Sequence, residues 1–213
     1  MFSTFSIIFG AVCTLVIISL VWRLFSNRQS IPCPAWLSWF VELDNPVLRN
    51  NSAKEITAHL GLRPGMQVLD LGCGPGRLTI PIAKQIGPSG SVTAFDIQQK
   101  MLERVQRKAN TENLDNIKLV QGTAGAGQLG RNAYDRALLV TVLGEIPDQK
   151  TALNEIFDCL KPGGLLSITE VIADPHFQTR KRILEQIQST GFREKVFFGN
   201  PISFTLHLEK PIQ

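Results

Sequence analysis

The chain has 213 residues, 44% of them hydrophobic and 19% charged, with a formal net charge of +4. That length supports one domain with a full hydrophobic core and a little extra, and that composition excludes wholesale disorder. The charge is mild and no aromatic-interleaved basic patch accompanies it, so nucleic acid is not an expected partner.

The first 22 residues carry no charge, and the run FSIIFGAVCTLVIISLVW (5–22) is almost wholly apolar. As a helix, 18 to 20 such residues rise about 27–30 Å, the thickness of a bilayer's hydrocarbon core. A basic leader region and a small-x-small cleavage site are not evident, so a cleaved signal peptide is disfavoured. Arg23 and Arg28 follow the run, and the positive-inside tendency holds that end in the cytoplasm. The expectation is one transmembrane anchor over residues 1–23, N-terminus outside, with everything after it cytoplasmic. A buried core helix is the competing reading.

Residues 24–49 read as an interfacial linker or lid. Pro32 and Pro34 break any helix, and Trp36, Trp39 and Phe40 crowd one short stretch. These aromatics suit either the lipid headgroup region or the roof of a ligand cleft, and the sequence leaves both open.

From residue 50 to 213 short apolar runs alternate with amphipathic segments. NSAKEITAHLGL (51–62) predicts a helix, with Ser52 and Glu55 at capping-box spacing. VLDL (68–71) predicts a buried strand, GRLTIPIAKQIG (76–87) a helix closed by Gly87, and SVTAFD (91–96) a second strand. A helix then spans about 97–112, with strands at 116–122 and 135–143. PDQKTALNEIFDCLKPGG (147–164) predicts a helix ended by Pro-Gly-Gly, and 165–172 a fifth strand. A short helix at about 176–190 precedes two β-rich runs flanking Gly199-Asn200-Pro201, an antiparallel hairpin. The fold class is therefore α/β: a doubly wound, mostly parallel sheet with a C-terminal antiparallel hairpin, preceded by one transmembrane helix.

The four cysteines, Cys13, Cys33, Cys73 and Cys159, form no C-x-x-C pair. Neither a metal site nor a disulfide framework is expected, and the usage fits a reducing compartment. Cys73, between two glycines, reads as a space-filler rather than a nucleophile. The basic cluster Arg180, Lys181, Arg182, Arg193 and Lys195 reads either as a solvated face or as attraction for anionic lipid headgroups.

The stretch VLDLGCGPGRLTI (68–80) carries the chemistry. Ligands of open α/β sheets sit at the carboxyl ends of strands, where Gly72-Cys73-Gly74-Pro75-Gly76 lies. A helix beginning near Gly76 would aim free N–H groups at that site. The dinucleotide fingerprint G-x-G-x-x-G would need a third glycine at position 77, which is Arg77; here it comes one residue early. Asp96 ends the second strand and suits two ribose hydroxyls. Asp70 suits a cationic group better than a pyrophosphate. Ribose plus cation without phosphate describes S-adenosylmethionine.

V-L-D-L-G-C-G-P-G resembles the first motif of the class I, Rossmann-like S-adenosylmethionine-dependent methyltransferases. A-F-D-I (94–97), Y-D-R-A-L-L-V-T-V-L (134–143) and L-K-P-G-G-L-L-S-I-T-E (160–170) extend the resemblance over roughly residues 50–210. It implies that Gly72, Gly74 and Gly76 pass close to the methionine portion, Asp70 serves its amino group and Asp96 the ribose. It also implies that Ile97 packs beside the adenine while Gly122 and Thr123 edge the ring. Thr123 departs from the family, which often carries an acid there.

Candidates to position or deprotonate a methyl acceptor lie at the ends of strands four and five: Glu145, Glu170, Asp174 and His176. Glu145 and His176 are the catalytic expectation. Their bland alternatives are a helix-terminal acid and a turn-and-cap residue. No Asn/Asp-Pro-Pro-aromatic motif follows strand four, which counts against adenine-N6 chemistry. The sequence thus predicts a membrane-anchored methyltransferase acting on a small molecule, with the anchor and aromatic segment pointing to a hydrophobic or lipid-like one, and no protein partner is inferable. A nicotinamide-dependent oxidoreductase and a non-catalytic tethered adaptor are the rivals.

Overall fold

The computed structural model describes residues 51–212 and the single residue Thr14. The expected anchor (1–23) and linker (24–49), with Cys13, Cys33 and the Trp36–Trp39–Phe40 cluster, lie outside the described residues. Among the described residues no helix is long and apolar enough to cross a membrane.

The elements run α1 (Ala53–His59), β1 (Gln67–Leu71), α2 (Thr79–Ile86), β2 (Ser91–Asp96), α3 (Gln99–Thr111), β3 (Ile117–Gln121) and β4 (Tyr134–Val140). A 3₁₀ turn (Leu143–Glu145) follows, then α4 (Gln149–Cys159), β5 (Leu160–Val171), α5 (Arg180–Ile187), β6 (Arg193–Asn200) and β7 (Ser203–Glu209). One seven-stranded sheet has the order β3-β2-β1-β4-β5-β7-β6. Strands β1 to β5 pair in parallel; β7 is antiparallel to both β5 and β6. This is the expected doubly wound sheet with its terminal hairpin.

Alternation along the central strands sorts side chains onto two faces. Val68 and Leu138 join Ile56, Ile82 and Ile86 of α1 and α2 on one side. Leu69, Leu71, Ala137 and Leu139 join Leu153, Ile156 and Ile183 of α4 and α5 on the other. Strands buried on both faces read as continuous apolar runs, which is why ALLV and VLDL are so legible.

Several boundaries differ from expectation. Helix α2 begins at Thr79 rather than near Gly76, because Gly72, Gly74 and Gly76 all take positive φ, outside the helical region. The expected 147–164 helix stops at Cys159, and Lys161-Pro162-Gly163-Gly164 already belongs to β5. Lys161 donates to both Asp135 oxygens at 2.9 Å, and Gly163 N–H donates to Lys210 O at 2.8 Å. Long-range bonds thus draw a local helix stop into the sheet. The fourth strand ends at Val140, three residues early, and α5 spans only Arg180–Ile187. In the hairpin Gly199 and Asn200 are still paired; Asn200 Oδ1 accepts from Ile202 N and Ser203 N, so the turn centres on Pro201-Ile202.

Ser52 does cap α1, accepting from Glu55 N at 3.2 Å, and Gly87 closes α2 with φ 68°. Cys73 and Cys159 are buried free thiols. Burial holds the Cys73 thiol well above its ordinary range, which agrees with a packing role. The C-terminal basic cluster is largely ion-paired. Arg180 makes a bidentate contact with Glu194, Lys195 pairs with Glu209, and Lys181 lies 3.9 Å from Glu185. That pairing favours the solvated-face reading.

Candidate active site

Strand order reverses between β1 and β4, so a crevice opens above their carboxyl ends. The glycine turn leaves β1 on one side of it. Residues 141–146 leave β4 on the other.

The turn is fastened from below. Gly72 N and Cys73 N both donate to Phe95 O, at 2.8 and 3.1 Å. A Cβ at Gly72 would meet Val142 Cγ1 at 2.7 Å, so Val142 roofs that glycine. A Cβ at Gly74 would meet nothing within 4 Å: this face of the turn is open. A Cβ at Gly76 would come to 3.1 Å from Val105 of α3. The three glycines therefore serve distinct ends: one for the roof, one for open approach, one for helix packing.

Asp96 is buried, and both its oxygens are engaged: Oδ2 accepts from Gly74 N at 2.9 Å and Oδ1 from Gln98 N at 2.8 Å. Burial raises its pKa, and these bonds oppose the rise. Each carboxylate oxygen keeps a second lone pair for a hydroxyl. Ile97 beside it is 51% exposed, an apolar surface with no neighbour covering half of it.

Asp70 shares the strand face of Val68, on the side of α2. Its Oδ2 accepts from Thr79 Oγ1 at 2.6 Å, and burial pushes its pKa up to about 6. Gly122 N donates to Asp96 O at 3.1 Å, which ties β3 to the same corner. A Cβ at Gly122 would lie 2.5 Å from Phe95 Cζ, so this glycine is required by packing. Exposed Thr123 donates its N–H to Gln128 Oε1 at 3.1 Å. Glu155 of α4 braces the same loop by accepting from Gly125 N and Leu129 N, at 2.6 and 2.9 Å.

Across the crevice the structure brings Glu145 and His176 together. Glu145 Oε1 lies 3.9 Å from His176 Nδ1, close enough for charge pairing and too long for a hydrogen bond. Asp174 Oδ1 is also 3.9 Å from Nδ1 and accepts from His176 N at 2.7 Å. The bland reading of Glu145 passes to Asp148, which caps α4 through Thr151 N; Thr179, not His176, caps α5. Glu170 is 1% exposed; Oε2 accepts from Gln178 N at 3.0 Å while Oε1 has no hydrogen-bond partner. Burial, with Asp174 and Glu145 nearby, pushes the Glu170 carboxyl up to about 8.

Sequence reasoning missed Thr79, Val142, Gln128 and Gly144, all of which act through contacts between distant segments. A Cβ on Gly144 would lie 2.7 Å from His176 Cβ, so that glycine sets how closely the two loops approach. A glycine outside any turn signal, in V-L-G-E, was the available hint. Thr141 was also missed: a β-branched residue at φ 54°, the left-handed region.

S-adenosylmethionine fits the crevice on three observations: the open face at Gly74, the buried Asp96 with acceptor capacity left, and the uncovered Ile97 surface beside it. When bound, it supplies an electrophilic methyl group on a sulfonium.

Comparison with known proteins agrees. A family model described as "Methyltransferase domain" matches residues 62–198. The demethylmenaquinone methyltransferase of Staphylococcus aureus strain JH9 is 37% identical over 117 residues, 55% of this chain and 48% of that protein; the strain Newman protein matches equally. The chain thus spans about half the length of the curated relatives it matches. In fold it is similar to a SAM-dependent methyltransferase from Aquifex aeolicus (TM-score 0.74, 20% identity, 84% of this chain and 99% of that one). It is also similar to the [4+2]-cyclase SpnF (TM-score 0.67, 18% identity, 76% and 81%). The family match covers most of the folded domain, and the chain belongs to the methyltransferase-domain family, that of the class I, S-adenosylmethionine-dependent methyltransferases.

Proposed function

We propose that this enzyme transfers the methyl group to a hydrophobic, lipid-like small molecule, and does so from a membrane anchor formed by residues 5–22 with the catalytic domain on the cytoplasmic side. The carrying observation is the 37% identity to proteins named for methylating demethylmenaquinone, a quinone. The uncharged apolar run ahead of the domain supports it, since an acceptor dissolved in a bilayer would be met at the membrane surface.

Glu145 and His176 are the acceptor-side pair in this reading. Methyl transfer from a sulfonium is an in-line displacement in which orientation supplies much of the rate. The backbone N–H of His176 donates to Asp174, which fixes the loop, and the imidazole Nδ1 lies 3.9 Å from a carboxylate oxygen of each of Glu145 and Asp174. That arrangement would stabilise an imidazolium formed by taking a proton from an acceptor hydroxyl. Gly72, Gly74 and Gly76 would line the methionine portion and Asp70 would back the turn. Asp96 would hold the ribose, with Ile97, Gly122 and Thr123 around the adenine.

The test incubates full-length protein in detergent with methyl-labelled S-adenosylmethionine and a bacterial lipid extract. Label should enter the lipid fraction, and His176→Gln should lower kcat about 100-fold or more with little change in KM for S-adenosylmethionine. Label confined to water-soluble compounds would overturn the reading. Protease accessibility of the domain in sealed vesicles tests its orientation.

A further inference from the structure

Glu170 is buried and does not line the crevice, yet its hydrogen bond leads to residues that do. Its Oε2 accepts from Gln178 N at 3.0 Å. Gln178, also buried, turns its side chain back and donates Nε2 to His176 O at 2.9 Å. That carbonyl abuts Gly144, where an added Cβ would fall on His176 O. Gly144 precedes Glu145, so one chain of contacts runs from the Glu170 carboxyl to both members of the acceptor-side pair. The segment between is fastened on its other side as well. Phe177 packs edge-on against Phe204, and Phe204 is the register partner of Glu170 across β5 and β7.

An ionised Glu170 would add a third negative charge beside Asp174 and Glu145. Burial, with those two neighbours, pushes its carboxyl up to about 8, so near neutral pH it keeps its proton. Oε2 accepts from Gln178 N, which places the proton on Oε1, the oxygen with no hydrogen-bond partner. A neutral acid holds the loop without competing with Glu145 and Asp174 for positive charge at His176. Packing alone would be served better by an apolar side chain of similar size, which incurs no desolvation cost.

We propose that Glu170 is a positioning residue for methyl transfer, which sets the His176 loop against Gly144 and Glu145 through Gln178. This role rests on the reading of Glu145 and His176 as the acceptor-side pair. It does not depend on which molecule accepts the methyl group. Loss of the Glu170 oxygen leaves Gln178 N without its acceptor and frees the loop to shift, and a small misplacement of an acceptor-side group costs rate rather than cofactor affinity.

The experiment compares full-length wild type, Glu170→Gln, Glu170→Leu and Gln178→Met in detergent. Glutamine keeps a neutral oxygen for Gln178 N, whereas leucine fills the space without an acceptor. Gln178→Met breaks the same chain from its other end should Glu170→Leu fail to fold. Imidazole carbon–proton NMR signals report the loop directly; His176→Gln identifies the His176 peak, and His59 and His207 serve as internal references. The His176 peak should hold its position in Glu170→Gln and move in Glu170→Leu and Gln178→Met, with the other two peaks in place. With methyl-labelled S-adenosylmethionine and a bacterial lipid extract, Glu170→Leu should lower kcat about tenfold or more. Glu170→Gln should stay within about threefold of wild type, and KM for S-adenosylmethionine should be unchanged in both. A His176 peak unmoved by both Glu170→Leu and Gln178→Met would overturn the proposal. So would equal kcat for Glu170→Leu and wild type, or a loss in Glu170→Gln as large as in Glu170→Leu. If wild type leaves the lipid extract unlabelled, the lipid-acceptor reading falls, and the His176 peak alone decides the positioning role.

Discussion

Val142 sits directly over Gly72, with Val142 Cγ1 2.7 Å from where a Cβ at position 72 would be. The segment that leaves β4 and the first glycine after β1 are thus locked across the switch point of the sheet. Gly72 also has φ 72°, so it is barred from substitution twice over, by conformation and by contact. Gly72→Ala should cost about 2–4 kcal/mol of stability, from left-handed strain plus overpacking. It should also weaken S-adenosylmethionine binding. Adding Val142→Ala should restore part of the loss. Thermal denaturation and calorimetry of the single and double variants check this, and no rescue by Val142→Ala would refute the locking.

Thr141, one residue earlier, holds φ 54° although its branched side chain disfavours that region. Its N–H donates to Thr169 O at 2.8 Å, which keeps the strained residue fastened to β5. Thr141→Gly should raise stability by about 1 kcal/mol, the relieved strain less the extra entropy of an unfolded glycine. It should at the same time loosen Val142 and lower cofactor affinity. A melting temperature equal to or below wild type would show that the conformation carries no strain.

Asp96 joins the glycine turn to the end of β2 through Gly74 N and Gln98 N. Asp96→Asn keeps the shape but turns one acceptor into a donor, set against N–H groups or a ribose hydroxyl. KM for S-adenosylmethionine should rise about tenfold or more while kcat changes little, the pattern of lost uniform binding. A fall in kcat at unchanged KM would place Asp96 elsewhere in the reaction.

The Glu170 carboxyl, ordinarily near 4.5, is raised to about 8, so the folded chain keeps a proton that the unfolded chain releases. Its stabilising contribution is complete below about pH 4.5 and is lost as pH rises toward 8. Asp70 acts with the same sign between 3.8 and about 6. Glu170→Gln removes the first slope and leaves the second. The variant should therefore gain in melting temperature relative to wild type as pH goes from 5 to 8. Parallel curves across that range would sink the assignment of a protonated Glu170.

The sheet and its glycine turn were legible in the residues because each depends on local pattern. Apolar runs such as VLDL and ALLV mark doubly covered strands, and glycines at 72, 74 and 76 mark a turn no other residue tolerates. Asp96 was legible because its place at a strand end follows from counting. Boundaries were less so: Pro162-Gly163-Gly164 reads as a helix stop, yet its bonds to Lys210 make it sheet.

What only the tertiary structure decided was which distant side chains meet. Nothing in the order of residues says that Val142 covers Gly72, that Thr79 donates to Asp70, or that Gly144 lets the His176 loop approach Glu145. The glycine-turn motif and its resemblance to a known family, with an acid at the end of the next strand, pointed to the family and its cofactor, since these rest on short-range backbone requirements. The approach of Glu145 to His176 and the protonated burial of Glu170 arise from segments folded together across the sheet. Their energies come from contacts and desolvation that exist only once the chain has packed.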